Sequence, residues 1–554
     1  MKNNFFKKQY HFIILFLLVL FYGINNYIWI KLHEFPAYAD EAYHLIRSLD
    51  YLNIFIHPSK DVFFALLNVD NLRPPFFHFC MAMVNFLIPN PGLIPIITNI
   101  FFAGILFISI YYFGKKIANE NCGLLAAFTV AMYPYIFGLS RMALPDFASV
   151  AMACLNLCLL VYTDRFKNTL FSILLGLAIG LGILTKLTFI FFLAGPVVIM
   201  AIAAFIDKDT AALRKKVIFN LGLVIVLATI IGGVWYFPRF DFLWKTYVTF
   251  GFKIRKPISP PETFSFASFI YYFYLLSGSQ IAPLFTTSFF IGLISFLKSR
   301  NKLRFPIFLW IIVIYIIFTF INNKHSRATC AYLPVFALIT AAGILELHTR
   351  WLKRFLVYLI VLGGLFQFFI VSYTNPISTK IRLSFFSGEM IKGLSVPSYL
   401  YPITEVFFHY PRKGDWRIGD VILAIQEADP VNRNATIGIT DIYVETKTDW
   451  YDPLNFPKYY HENFVTTNND AINYFLRLNN LSYRIISLTL TKEEWKEKPL
   501  LDFIISVMPV ENLAPLISRQ YRLILQAKVP DGSPVYVYKR LFEFGGISQY
   551  LCCK

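Results

Sequence analysis

Charge is scarce in this 554-residue chain: Asp, Glu, Lys and Arg make up 15% of it, against 57% hydrophobic and 18% aromatic residues. A soluble domain carries about a quarter charged residues, so this composition excludes the soluble globular class and indicates a polytopic membrane protein. Cysteine motifs are missing as well. The seven cysteines form no Cys-x-x-Cys pair and no Cys/His grouping, which leaves no metal-ribbon or redox signature. Cys154 and Cys158, four apart on one apolar helix, read as packing residues. There is no internal repeat, and the C-terminal part has no glycine-rich phosphate loop.

The net charge of +18 raises nucleic acid as a partner until its placement is examined. From residue 376 onward 20 Lys and Arg stand against 19 Asp and Glu, whereas the first 375 residues hold 31 against 14. The excess therefore lies in the apolar part, where basic residues in short loops set orientation, and nucleic acid is not an expected partner.

Lys2, Lys7 and Lys8 precede an apolar run at 12–30. No small-residue cleavage site follows it, and at about 1.5 Å per residue the run can cross a hydrocarbon core of about 30 Å, so an uncleaved anchor is expected. Further spans are expected at 93–113, 122–139, 147–162, 170–184, 187–206, 217–237, 281–297, 305–321, 328–345 and 355–373, about eleven with the anchor and twelve or thirteen at most. Residues 169–206 would make a single helix of about 57 Å, too long for a bilayer, so a break is placed at Thr185-Lys186. The apolar segment Phe76 to Ile88 is short and ends in Pro89-Asn90-Pro91-Gly92, which reads as interfacial or re-entrant. On this layout eighteen Lys and Arg fall in the inner segments, while the short outer turns hold only Arg141, Lys186, Lys324 and Arg327. The bias places the first loop, 31–75, and the region after 375 outside the cytoplasm, in an inner or plasma membrane.

Residues 376–554 change texture. Amphipathic helices are expected at 416–428 and 471–481, strands at 435–440, 483–488 and 502–508, and a β-hairpin from 521–528 and 535–540 around Pro530-Asp531-Gly532-Ser533. The expected fold is a polytopic α-helical membrane domain over 1–375 and an extracytoplasmic α/β domain over 376–554.

None of the eleven spans contains Asp, Glu, Lys or Arg. An ion-coupled carrier keeps ionisable groups at the midplane, so the pattern moves the chemistry to the outer surface. Asp40 and Glu41, Arg73 before Pro74-Pro75, Asp146 in a short turn, Lys186, and Lys324 with Arg327 gather on that expected face. Carboxylates for proton transfer beside cations for an anion suit a substrate whose phosphate is tied to a lipid.

Five pieces in order resemble the membrane C-type glycosyltransferases, in particular the protein O-mannosyltransferases and the lipid A aminoarabinose transferases. They are Asp40-Glu41-Ala42-Tyr43, Arg73-Pro74-Pro75, Asp146, Gly180-x-Gly182-x-Leu184-Thr185-Lys186, and Lys324-x-x-Arg327 leading into Tyr332-x-Pro334. The resemblance implies inverting transfer of a hexosyl or pentosyl group from a polyprenyl-phosphate sugar to a lipid, glycan or protein acceptor. It implies Asp40 as the base, with Glu41 and Asp146 beside it in the catalytic set. Arg73, Lys186, Lys324 and Arg327 would hold the phosphate, and Tyr43 and His44 would line the loop toward the acceptor. Many relatives carry Lys where Arg73 stands, and the aminoarabinose transferases carry Arg where Tyr43 stands, which leaves the sugar open. No cofactor is required by the sequence, and a divalent cation stays open because the family divides over metal use.

Blander readings stand beside these. Asp40 and Glu41 can be solvated loop carboxylates, Asp146 can be the N-cap of the next span, and Lys186 and Arg327 can snorkel to headgroups. His44 and His325 have no spacing that pairs them as metal ligands. The rival function is a lipid or lipid-linked-sugar flippase with no covalent chemistry, motivated by the many spans.

Overall fold

The structure, a computed structural model, describes residues 2–373 except 35–36, 38, 208–211, 249–265, 300 and 322–325. Beyond these it describes 411, 417–429, 436–441, 474, 476–477, 484–489, 501–506, 521–528 and 534–541. The chain divides into two compact units, Met1–Leu32 with Arg47–Pro411, and His33–Ile46 with Arg412–Lys554.

The first unit is helical. Its helices are α1 (Lys2–Leu32), α2 (Ala39–Ile56, whose first two turns count with the other unit), α3 (Val62–Leu67), α4 (Phe76–Leu87), α5 (Ile94–Ile117), α6 (Glu120–Ala131), α7 (Pro134–Leu139), α8 (Pro145–Tyr162), α9 (Thr169–Ile183), α10 (Phe189–Ile206) and α11 (Arg214–Tyr236). After them come α12 (Phe240–Val248), α13 (Phe266–Leu275), α14 (Ala282–Lys298), α15 (Arg304–Thr319), α16 (Leu333–Glu346) and α17 (Arg350–Tyr373). Each of the eleven expected spans is occupied by helix, and seven helices are long and apolar enough to cross a membrane. The protein is an integral membrane protein.

Local chemistry explains the helix ends. Asn119 and Asn168 cap α6 and α9, their side chains accepting from the N–H groups of Cys122 at 3.0 Å and Phe171 at 3.2 Å. Pro134 divides the expected span 122–139 into α6 and α7. The long apolar run breaks between α9 and α10, at 184–188, where Thr185 turns its hydroxyl back to the Leu181 carbonyl. α4 has 12 residues, about 18 Å of helix, and does not reach across a hydrocarbon core.

Burial separates centre from rim. α8 and α16 are almost wholly enclosed, whereas α1, α10, α11 and α17 expose Phe16, Ile206, Phe219 and Phe366, the surface a lipid contact needs. α14 and α16 cross at glycines: a Cβ on Gly343 would fall 1.8 Å from the Gly292 carbonyl oxygen, so the backbones meet only because neither residue has one.

The loop expected at 31–75 is largely helical, a difference from the sequence reading. Ala42, Leu45, Ile46 and Tyr51 of α2 are buried at helical spacing, a pattern diluted in sequence by Arg47, Ser48 and Asp50.

The second unit holds a five-stranded mixed sheet of β1 (Thr436–Asp441), β2 (Arg484–Thr489), β3 (Phe503–Ser506), β4 (Tyr521–Lys528) and β5 (Pro534–Arg540), in the order β2-β1-β3-β5-β4. β1 pairs in parallel with β2 and β3, and β5 pairs antiparallel with β3 and β4. Ile418, Val421, Ile422 and Ile425 of helix α18 (Ile418–Ala428) pack on Ile437, Phe503, Ile505, Val535 and Val537. Ile504, Tyr521 and Tyr538 cluster with Leu501 in a second apolar group. All five strands and α18 fall within a few residues of expectation, while most of 471–481 and the hairpin turn at 530–533 lie outside the described residues. The unit boundary runs through the first loop, because 33–46 counts with the sheet, whereas the sequence reading put all of 31–75 with the membrane part.

Candidate active site

Asp146 is the centre of the charged cluster in the first unit. It lies in the first turn of α8, 2% exposed, behind Pro145 at the helix start. The N-cap is Leu144, so Asp146 is not the capping residue the sequence allowed; in the first turn it faces the positive end of the helix dipole. Its Oδ1 accepts from Lys186 Nζ at 2.6 Å, and its Oδ2 lies 3.8 Å from a terminal guanidinium nitrogen of Arg327. Lys186 belongs to the break between α9 and α10, and Arg327 to a 3₁₀ stretch, Ser326–Tyr332, that leads into α16. Three separate breaks in regular helix thus meet at one carboxylate. Lys186 therefore turns to a buried partner and does not run out along the apolar surface.

Arg73 reaches the same neighbourhood through its backbone. The N–H of Phe76, just past Pro74-Pro75, donates to the carbonyl of Leu184 at 2.9 Å, fastening the Arg73 turn to the Lys186 turn. The turn is preorganised from its other side by Asp70, a residue the sequence reading missed. Asp70 Oδ1 accepts from the N–H groups of Leu72 at 2.7 Å and Arg73 at 3.0 Å, while its Oδ2 lies 3.4 Å from Arg47 Nε. Arg239 donates to the Leu67 carbonyl and to the side chains of Asn68 and Asn71 at 2.6, 2.7 and 3.1 Å. The available signal was Asp70-Asn71 ahead of Leu72-Arg73-Pro74, a turn-forming pair before a restricted proline.

Asp40 and Glu41 occupy the first turn of α2 and are half-buried, as is Tyr43; His44 is buried with its ring edge-on to Tyr43, centroids 5.9 Å apart. All four belong to the second unit. Within it Tyr474 is buried, and burial first, then the negative charge of Glu41, raises its hydroxyl above the ordinary phenolic range. Lys324 and His325 lie outside the described residues. Among the described residues no three His, Cys, Asp or Glu gather as a metal site. Arg141, grouped with the outer cations in the sequence, is fully buried over Trp29, Phe137 and Phe368, with Asn26 and Ser372 as hydrogen-bond partners.

The fold is that of the membrane C-type glycosyltransferases, and residues 72–236, which include Arg73, Asp146 and Lys186, match the family model of dolichyl-phosphate-mannose-protein mannosyltransferases. Among solved structures, ArnT from Cupriavidus metallidurans bound to undecaprenyl phosphate superposes with a TM-score of 0.62 at 11% identity, covering 94% of this chain and 97% of that one. The Archaeoglobus fulgidus oligosaccharyltransferase tethered to an acceptor peptide with the NVT sequon gives 0.52 at 11%, covering 96% and 74%. Its complex with Zn and sulfate gives 0.50 at 12%, covering 94% and 72%. At such identities the likeness speaks for the fold. No curated sequence matches the chain significantly. What the chain shares with these proteins is therefore the fold, together with the matched stretch 72–236.

Proposed function

We propose that this protein moves a sugar, with inversion, from a polyprenyl-phosphate donor to an acceptor hydroxyl on the extracytoplasmic face of an inner or plasma membrane. The observation that carries the reading is the cluster of buried Asp146 with half-buried Lys186 and Arg327, fastened through Leu184 and Phe76 to the turn of Arg73. Cations gathered at and near one carboxylate suit a phosphate monoester whose negative charge grows as it leaves. Asp146, engaged by two cations, serves to hold them in place. Asp40 takes the proton of the acceptor hydroxyl, the oxygen attacks the anomeric carbon opposite the phosphate, and the bond from that carbon to the phosphate oxygen breaks. The lipid phosphate leaves with the electron pair, held by Arg73, Lys186, Arg327 and Lys324. Glu41 orients Asp40, and Tyr43 and His44 contact the acceptor, which is a lipid, a glycan or a protein.

Outward placement of the first loop and the C-terminal unit follows from the distribution of basic residues. The test is transfer from labelled undecaprenyl-phosphate sugars to candidate acceptors by purified protein in vesicles. Binding of undecaprenyl phosphate with no transfer from any donor, alongside movement of the lipid between leaflets, would favour a flippase.

A further inference from the structure

Between α13 and α14 the chain does not run on as one helix. Residues Leu276–Gln280 form a π-helical turn, closed by the Ile281 N–H donating to the Leu276 carbonyl at 2.9 Å. Ala282 follows with φ +68°, in the left-handed region that disfavours any residue carrying a Cβ, and Pro283 stands next to it. Irregular backbone of this kind persists where the surroundings hold it, and it is found at sites that need a side chain aimed. The side chain aimed here is Gln280, which is fully buried. Its Nε2 donates to Thr329 Oγ1 at 2.9 Å, and its Oε1 accepts from the Tyr332 hydroxyl at 3.3 Å. One amide thus uses both its donor and its acceptor end on a single segment.

That segment is the seven-residue 3₁₀ stretch Ser326–Tyr332, which carries Arg327. Runs of 3₁₀ helix beyond three or four residues are uncommon, because their hydrogen bonds are poorly aligned, so a long one relies on contacts from outside. Gln280 supplies two of them, at Thr329 and at the last residue before α16. The platform from which it does so is firm, since α14 and α16 are locked at the Gly292–Gly343 crossing.

We infer that Gln280 is a positioning residue for Arg327: through Thr329 and Tyr332 it holds the 3₁₀ stretch so that the guanidinium stays beside Asp146 and Lys186. The inference rests on the reading of Arg327 as a ligand of the donor phosphate. It goes beyond that reading by assigning a role to a residue well away in sequence, on a strained helix break, that makes no contact with the charged cluster among the hydrogen bonds and ion pairs described above.

The test is equilibrium binding of undecaprenyl phosphate to the purified full-length protein in detergent, with thermal unfolding measured in parallel. Gln280→Leu is expected to weaken binding about tenfold, the effect of one displaced charge-assisted contact. Thr329→Val is expected to weaken it in the same direction, while Thr329→Ser, which keeps the hydroxyl, stays near wild type. The readout that a purely structural role would not move is the double-mutant cycle: in an Arg327→Gln background, Gln280→Leu should change binding less than twofold. If Gln280→Leu fails to fold, Thr329→Val and Tyr332→Phe carry the same cycle. Additive losses in the cycle, or Gln280 and Thr329 variants that bind like wild type while Arg327→Gln binds weakly, overturn the inference alone. Unchanged binding by Arg327→Gln instead overturns the reading beneath it.

Discussion

Asp40 and Asp146 are both carboxylates in the first turn of a helix, yet their surroundings give them different work. Asp40 is half-buried next to Glu41, whereas Asp146 is enclosed and shared by two cations. Asn in place of Asp40 keeps the shape and loses the proton acceptor. Single-turnover transfer by Asp40→Asn at saturating donor is expected to fall about 10²- to 10⁴-fold with undecaprenyl phosphate binding retained. Near-normal transfer would remove Asp40 from the role of base. Asp146→Asn has a different signature, because it takes the carboxylate away from the half-buried Lys186 that pairs with it and from the neighbouring Arg327. A loss of about 3 kcal/mol is expected in thermal or denaturant unfolding, and the double variant Asp146→Asn with Lys186→Met should recover much of it. If the double variant is no more stable than the single, the ion pair is not what holds that junction.

At the scale of elements, glycines mark where substitution matters. Gly343→Ala has nowhere to put its methyl except against the Gly292 carbonyl, so α14 and α16 must separate and folded yield should drop sharply. Gly222→Ala, in α11 with open space around it, should be neutral or gain up to about 1 kcal/mol of helix stability. Size-exclusion profiles of the two variants check the contrast. The same scale shows what could be read in advance. The break at Thr185-Lys186 was legible because bilayer thickness forbids a longer helix, and the strands of the second unit because alternation and turn residues mark them. Asp146, Lys186 and Arg327 were legible as charges expected on one face. Their sharing of a single carboxylate was not, since it depends on three turns meeting in space. The left-handed Ala282 was invisible for a different reason: nothing about alanine announces positive φ, and only the tertiary setting holds it there. The helix α2 was obscured by the polar residues it needs for Asp70 and its neighbours.

For the whole molecule, the division into units assigns the proposed base and the proposed phosphate ligands to different parts of the chain. Removal of 376–554 leaves Asp40 in the chain but takes away the rest of its unit, so transfer should be lost while a folded truncation, checked first by thermal unfolding, still binds undecaprenyl phosphate. Loss of binding in a well-folded truncation would show that the phosphate site needs both units. Orientation can be probed with a cysteine engineered in place of Trp450, in the region after 375. A membrane-impermeant maleimide is expected to label that cysteine in intact spheroplasts, above the signal of the unaltered protein. Labelling only after the membrane is broken would invert the topology and move the site to the other face.

The order in which the charged cluster is synthesised has a consequence for how the protein enters the membrane. Asp146 and Lys186 are 40 residues apart, and both leave the ribosome well before Arg327. A lone ionised side chain is costly to bring to a lipid phase, but a joined Asp–Lys pair carries no net charge. The segment from α8 to α10 can therefore partition with Asp146 and Lys186 already paired, and the guanidinium of Arg327 joins them only when the much later 3₁₀ stretch arrives. On the proposed reading, the last of these cations to meet the lipid phosphate is thus also the last to be made.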